Sequence, residues 1–116
     1  MISCNSVDAE TKKEIRDTFR ALTDDLLSGD RGRVNQYCTL NGLSSMSKHF
    51  DLDSKAELKE LGIFFKDQKI SGFERIDNTE NIKVFIGSYG AVTGKSAIVF
   101  TKIEGAWKIE RYLAGK

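Results

Sequence analysis

The chain has 116 residues, 40% hydrophobic and 30% charged, with eighteen basic residues against seventeen acidic ones. That is the length of one domain, enough to bury roughly two-thirds of the surface its unfolded form exposes, and no apolar run approaches the ~18 residues of a bilayer span. A formal charge of +1 lacks the basic excess by which a polyanion-binding surface is read, so neither a nucleic-acid partner nor a transmembrane segment is expected.

The start, "MISCNS", has neither the positive n-region nor the apolar h-region of a signal peptide. A cytoplasmic chain is expected; the alternative is an exported lipoprotein anchored through Cys4, should Met1 replace a removed signal peptide. Residues 1–7 are read as a flexible start to a single domain over 1–116. From Asp8, an N-cap residue type, the residues Ile15, Phe19, Leu22 and Leu26 recur at spacings of four, three and four. They form one stripe of a long amphipathic helix, with Lys12, Lys13, Arg16, Asp17, Arg20 and Asp24 on its other faces. Gly29 stands where a left-handed residue ends such a helix.

"SGDRGRVNQYC" begins a second, short helix carrying Val34, Tyr37 and Cys38. Cys38, in an apolar pattern, reads as a free thiol acting as a small hydrophobe. "LNGLSSMSKHFDLD" mixes Gly, Ser and Asp with isolated apolar residues and reads as a loop with one helical turn around Met46 to Phe50. Ser54 with Glu57 three residues on is a capping box, and Leu58, Leu61 and Phe65 share one face of a third helix that Ile63 and Phe64 widen. Gly62 weakens that helix by up to ~1 kcal/mol against alanine, which calls for a packing reason.

After Asp67 the period changes to two. "KISGFERID", "NIKVFIGSYG", "KSAIVFTKIEG" and "AWKIERYLAG" are four runs rich in Ile, Val, Phe, Tyr and Thr, and read as antiparallel strands joined by hairpins. Helices followed by a meander predict an α+β fold with helices packed on a curved antiparallel sheet. Strict alternation puts Trp107, Ile109, Arg111 and Leu113 on one side of the last strand and Lys108, Glu110 and Tyr112 on the other. Both faces of the sheet centre are then apolar, and the expected cover for the second face is another copy of the chain, a homodimer through Phe85, Ile98, Phe100 and Tyr112. A bulged or shifted strand is the alternative.

The long helix ending in "LLSGDRGRVNQY", the further helices, and a last hairpin "VFTKIEGAWKIERYL" with Gly105, Trp107 and Ile109 as "G-x-W-x-I" resemble the nuclear transport factor 2-like, or cystatin-like cone, superfamily. The resemblance implies a curved sheet wrapping the long helix around a pocket, frequent dimerisation through the sheet, and either a small enzyme of isomerase, dehydratase or cyclase type or a non-catalytic binding module. No local motif of the isomerase or dehydratase sets is present, and fold alone does not fix function. A binding module for a small apolar or aromatic molecule, or for a protein partner, is therefore the expectation.

The residues expected to line its pocket are Phe19, Tyr37, His49, Glu74, Tyr89, Trp107 and Arg111. On the enzyme alternative Tyr37, His49, an acid among Glu74 and Asp77, and Arg111 as charge stabiliser would have to converge. The otherwise expected place of Arg111 is solvent, with its stem packed on Trp107. His49 is read as a surface residue or a general base, and Asp51 with Asp53 as helix-capping rather than ion-binding carboxylates. One histidine and two cysteines, without C-x-x-C or H-x-x-x-H spacing, are too few for a usual zinc site. No metal and no cofactor is expected.

Overall fold

Asp8 does cap the first helix: its carboxylate accepts the backbone N–H of Thr11 at 3.0 Å, and α1 runs Ala9–Ser28 until Gly29, at φ 74°, returns its N–H to the carbonyl of Leu26. The computed structural model describes residues 7–68, 70–76, 79–86 and 96–113; Cys4, Asp77 and Tyr89 lie outside them. Val7, read as part of the flexible start, is buried with the core. α2 (Arg31–Asn35) is capped by Asp30, α3 spans Leu40–Ser47 and α4 spans Lys55–Asp67. Ser54 accepts the N–H of Glu57 as a capping box requires, but the Glu57 carboxylate takes the N–H of Asp51 at 2.8 Å, one turn further out.

The stretch read as a loop with one turn thus holds an eight-residue helix over its first half. Its N-cap is Thr39, whose hydroxyl accepts the N–H of Gly42 at 2.9 Å. Gly42 is what brings α3 onto the sheet, since a Cβ there would stand 2.0 Å from the carbonyl oxygen of Ile109. Gly62 has the packing reason its cost called for: a Cβ would meet the backbone nitrogen of Leu27 at 2.9 Å where α4 crosses α1.

Strands β1 (Ile70–Arg75), β2 (Ile82–Ile86), β3 (Ser96–Ile103) and β4 (Ala106–Leu113) form one open antiparallel sheet in that order. The last hairpin turns on Glu104 and Gly105 alone, both at positive φ, 50° and 84°. A two-residue turn with this twist favours glycine. Helices packed on a four-stranded antiparallel sheet make this an α+β fold.

The helix-facing side carries Phe73, Ile82, Val84, Ile86, Ile98, Phe100, Ile109 and Tyr112, which with Ile15, Phe19, Leu22, Leu26 and Phe65 form the core. Full burial of each large apolar side chain contributes roughly 1.5–3 kcal/mol. This side differs from strict alternation because β4 is bulged: Val99 pairs with Arg111 but Phe100 pairs with Ile109, leaving Glu110 as the extra residue. A bulge reverses the parity of everything beyond it.

Tyr112 therefore turns inward beside Ile98, while Arg111 leaves the face of Trp107 and is exposed. Of the expected dimer contact, Ile98, Phe100 and Tyr112 are core residues and only Phe85 stands on the outer face, with Glu74, Lys83, Ala97, Val99 and Arg111. That face is mixed and charged, so the doubly apolar sheet that called for a second copy does not exist in this register.

The free side of β4 is covered by the chain itself. Ile109 donates its N–H to the carbonyl of Tyr37 at 2.6 Å and accepts the N–H of Thr39 at 2.9 Å, so residues 37–39 run parallel to the strand through a bridge at Cys38.

Candidate functional site

Residues four apart on a helix share a face, and in α1 the set Arg16, Arg20 and Asp24 lies beside the apolar stripe at Phe19 and Thr23. Where α1, the end of α4 and the start of β1 diverge, these residues open a cleft of about 520 Å³ with Phe65, Lys66, Gln68 and Ile70. Its floor is apolar, with the rings of Phe19 and Phe65 5.3 Å apart. Thr23 brings no unmet polar demand, because its buried hydroxyl donates to the carbonyl of Phe19 at 2.8 Å.

The rim is basic. Arg16 lies over the Phe73 ring at 5.1 Å, and among the described residues Arg20 and Lys66 make no ion pair. Asp24 is the one acid of the lining. An apolar floor beneath two or three cations can take a ligand with an aromatic or aliphatic body and an anionic head.

The residues expected in one pocket are dispersed. Phe19 lies in this cleft, but Tyr37 donates its hydroxyl to Asp25 at 2.7 Å, which Arg33 also approaches at 3.6 Å. Burial, followed by that hydrogen bond, pushes Tyr37 up to about 12, so it is a neutral hydrogen-bond donor rather than a base. Trp107 is buried, with its indole N–H on Glu14 at 2.9 Å and Lys102 over its ring.

His49 and Arg111 line a different hollow, between α3 and β4, and Glu74 with Arg111 lines a third on the outer face of the sheet. Cys38 is a free thiol that burial pushes up to about 12, against the opposing pull of Lys108 and Arg31. It is protonated and inert at neutral pH. Asp51 and Asp53 serve locally: Asp51 accepts the N–H of Asp53 at 3.1 Å, and Asp53 pairs with Arg31.

Sequence reading assigned Arg16, Arg20 and Asp24 to a solvated face and Ile70 to the first strand run, and did not place Lys66 at all. The available signal was the i, i+4 spacing of Arg16 and Arg20 around Phe19. No helix among the described residues is long and apolar enough to cross a membrane. No protein-family model, curated protein or solved structure matches this chain.

Proposed function

We propose that this domain is a non-catalytic binding module whose cleft between α1 and α4 takes a small amphipathic organic anion. The observation that carries the reading is the Phe19–Phe65 floor beneath Arg20 and Lys66, two cations without acidic partners among the described residues. The element order, a long first helix, further helices and a closing meander, agrees with the nuclear transport factor 2-like resemblance, and we propose membership of that superfamily on the same footing. The enzyme alternative draws less support, since Tyr37 is engaged by Asp25 while His49 and Glu74 line separate hollows.

The cleft is built by one chain, so the reading needs no second copy. Fluorescence titration with anilinonaphthalene sulfonate, an aromatic body with an anionic head, tests it. Saturable single-site binding is expected, weakened about thirtyfold by the paired substitution Arg20→Glu and Lys66→Glu, each lost charge contact contributing on the order of 1 kcal/mol. Equal binding by the variant and the parent chain overturns the reading.

A further inference from the structure

The bulge that expels Arg111 from the core delivers it to a second hollow, of about 550 Å³, lined by Asn41, Ser44, Lys48, His49, Glu110 and Arg111 among others. Bulges commonly re-aim a side chain beside a functional site. We infer that this hollow is a separate binding site for a phosphoryl dianion, held by Lys48, His49 and Arg111.

Three features carry the inference. Lys48, His49 and Arg111 come from two elements, the end of α3 and the far half of β4, and all three line one hollow, His49 beside Tyr112 and Arg111 from the outer face. Among the described residues, neither Lys48 nor Arg111 has an acidic partner, so their charge is available to a ligand. The one acid present, Glu110, has its two oxygens occupied, one by the hydroxyl of Thr39 at 2.9 Å and the other by the amide of Asn41 at 2.8 Å. That holds its carboxylate at the Thr39 end of α3, whereas Lys48 and His49 follow the other end of that helix.

The two elements that carry these residues are tied together. Ser45 donates its hydroxyl to the carbonyl of Tyr112 at 3.1 Å and accepts the Tyr112 N–H at 2.9 Å, and Gly42 lets α3 lie directly on Ile109. His49 rests against Tyr112, ring centroids 5.3 Å apart. A tetrahedral oxyanion suits this set: the guanidinium offers a fork of donors, the ammonium a point charge, and Ser44 a hydroxyl at the margin.

His49 is the only histidine of the chain, so its imidazole proton resonance is a single reporter inside the hollow. The purified chain is titrated with inorganic phosphate against chloride at matched ionic strength. A saturable shift of the His49 signal in phosphate alone is expected, with affinity lowered about tenfold by Lys48→Gln or Arg111→Gln and raised by Glu110→Gln.

A drift of His49 identical in phosphate and chloride overturns the inference, as does an Arg111→Gln curve that superimposes on the parent. A second arm with phenyl phosphate separates the sources: tighter binding than phosphate assigns the site to monoesters, and weaker binding to the free ion. Neither arm depends on the cleft between α1 and α4, whose lining shares no residue with this hollow, so the Arg20→Glu, Lys66→Glu variant is expected to keep the His49 response.

Discussion

The ring of Tyr112 lies 6.3 Å from that of Phe65 and 5.2 Å from Phe50, inside the layer between helices and sheet, while its neighbour Arg111 points to water. Truncation of a buried aromatic residue costs about 3–5 kcal/mol, and an exposed one rarely more than about 0.5 kcal/mol. Tyr112→Ala is thus expected to lower stability in urea unfolding by at least about 3 kcal/mol, and Arg111→Ala to leave it nearly unchanged. Strict alternation through β4 puts Arg111 on the side of Trp107 and Tyr112 on the other, so the pair tests the bulge.

Gly42 supports a second prediction. A methyl group at this position would stand 2.0 Å from the Ile109 oxygen, so Gly42→Ala must push α3 away from β4, at a cost of about 2–3 kcal/mol. Gly72→Ala, whose methyl meets Phe85 at an ordinary 3.6 Å, changes stability by less than about 1 kcal/mol. Denaturation midpoints of both variants are the measurement.

The alkaline limb of stability depends on Tyr37. Its proton is held up to about 12 in the native chain and only to about 10 in the unfolded one, so its contribution is complete below pH about 10. Above that the unfolded chain releases the proton first, and stability falls as pH rises toward about 12. Tyr37→Phe, which cannot ionise, is expected to flatten that part of the urea-midpoint against pH curve.

Cys38 gives a chemical test of burial. With its thiol held up to about 12, the native thiolate fraction at neutral pH is more than a hundredfold below that of a free cysteine, on the order of 8.5 for its ordinary value. In a Cys4→Ser background, iodoacetamide should label Cys38 at least about a hundredfold faster in urea than in buffer. Equal rates in the two media would place the thiol at the surface.

The outer face of the sheet sets Lys83, Glu74 and Arg111 around Phe85, Ala97 and Val99. Charged residues on this face oppose a dry sheet-to-sheet contact. Native mass spectrometry is expected to return one chain of 13.0 kDa; a dimer that survives dilution would show that these charges pair across a contact.

What the sequence made legible was whatever depends on neighbours in the chain. Asp8, Gly29 and Ser54 marked helix ends because caps act within four residues, and the four β-rich runs after Asp67 marked the strands because a period of two is a local pattern. The bulge was hidden, since alternation assumes one residue per pairing step. Its trace is the off-beat spacing of the large apolar residues, Trp107 and Ile109 two apart but Ile109 and Tyr112 three apart.

α3 was misread for a related reason. Gly42 and the serines around it weaken an isolated helix, and the benefit of Gly42, contact with Ile109, comes from a residue 67 positions away. The cleft residues were recognisable by type but not by place, because Arg20 and Lys66 meet only once α1 and α4 have packed.

The strand-like segment of residues 37–39 gives the sheet two unlike ends. On the β4 side the backbone groups of Ile109 are already satisfied, whereas among the described residues β1 pairs only with β2. Among the described residues the open edge is that of β1, where an extended peptide or another molecule can join. Two copies meeting edge to edge there would consume both β1 edges at once, so association through β1 terminates at a pair.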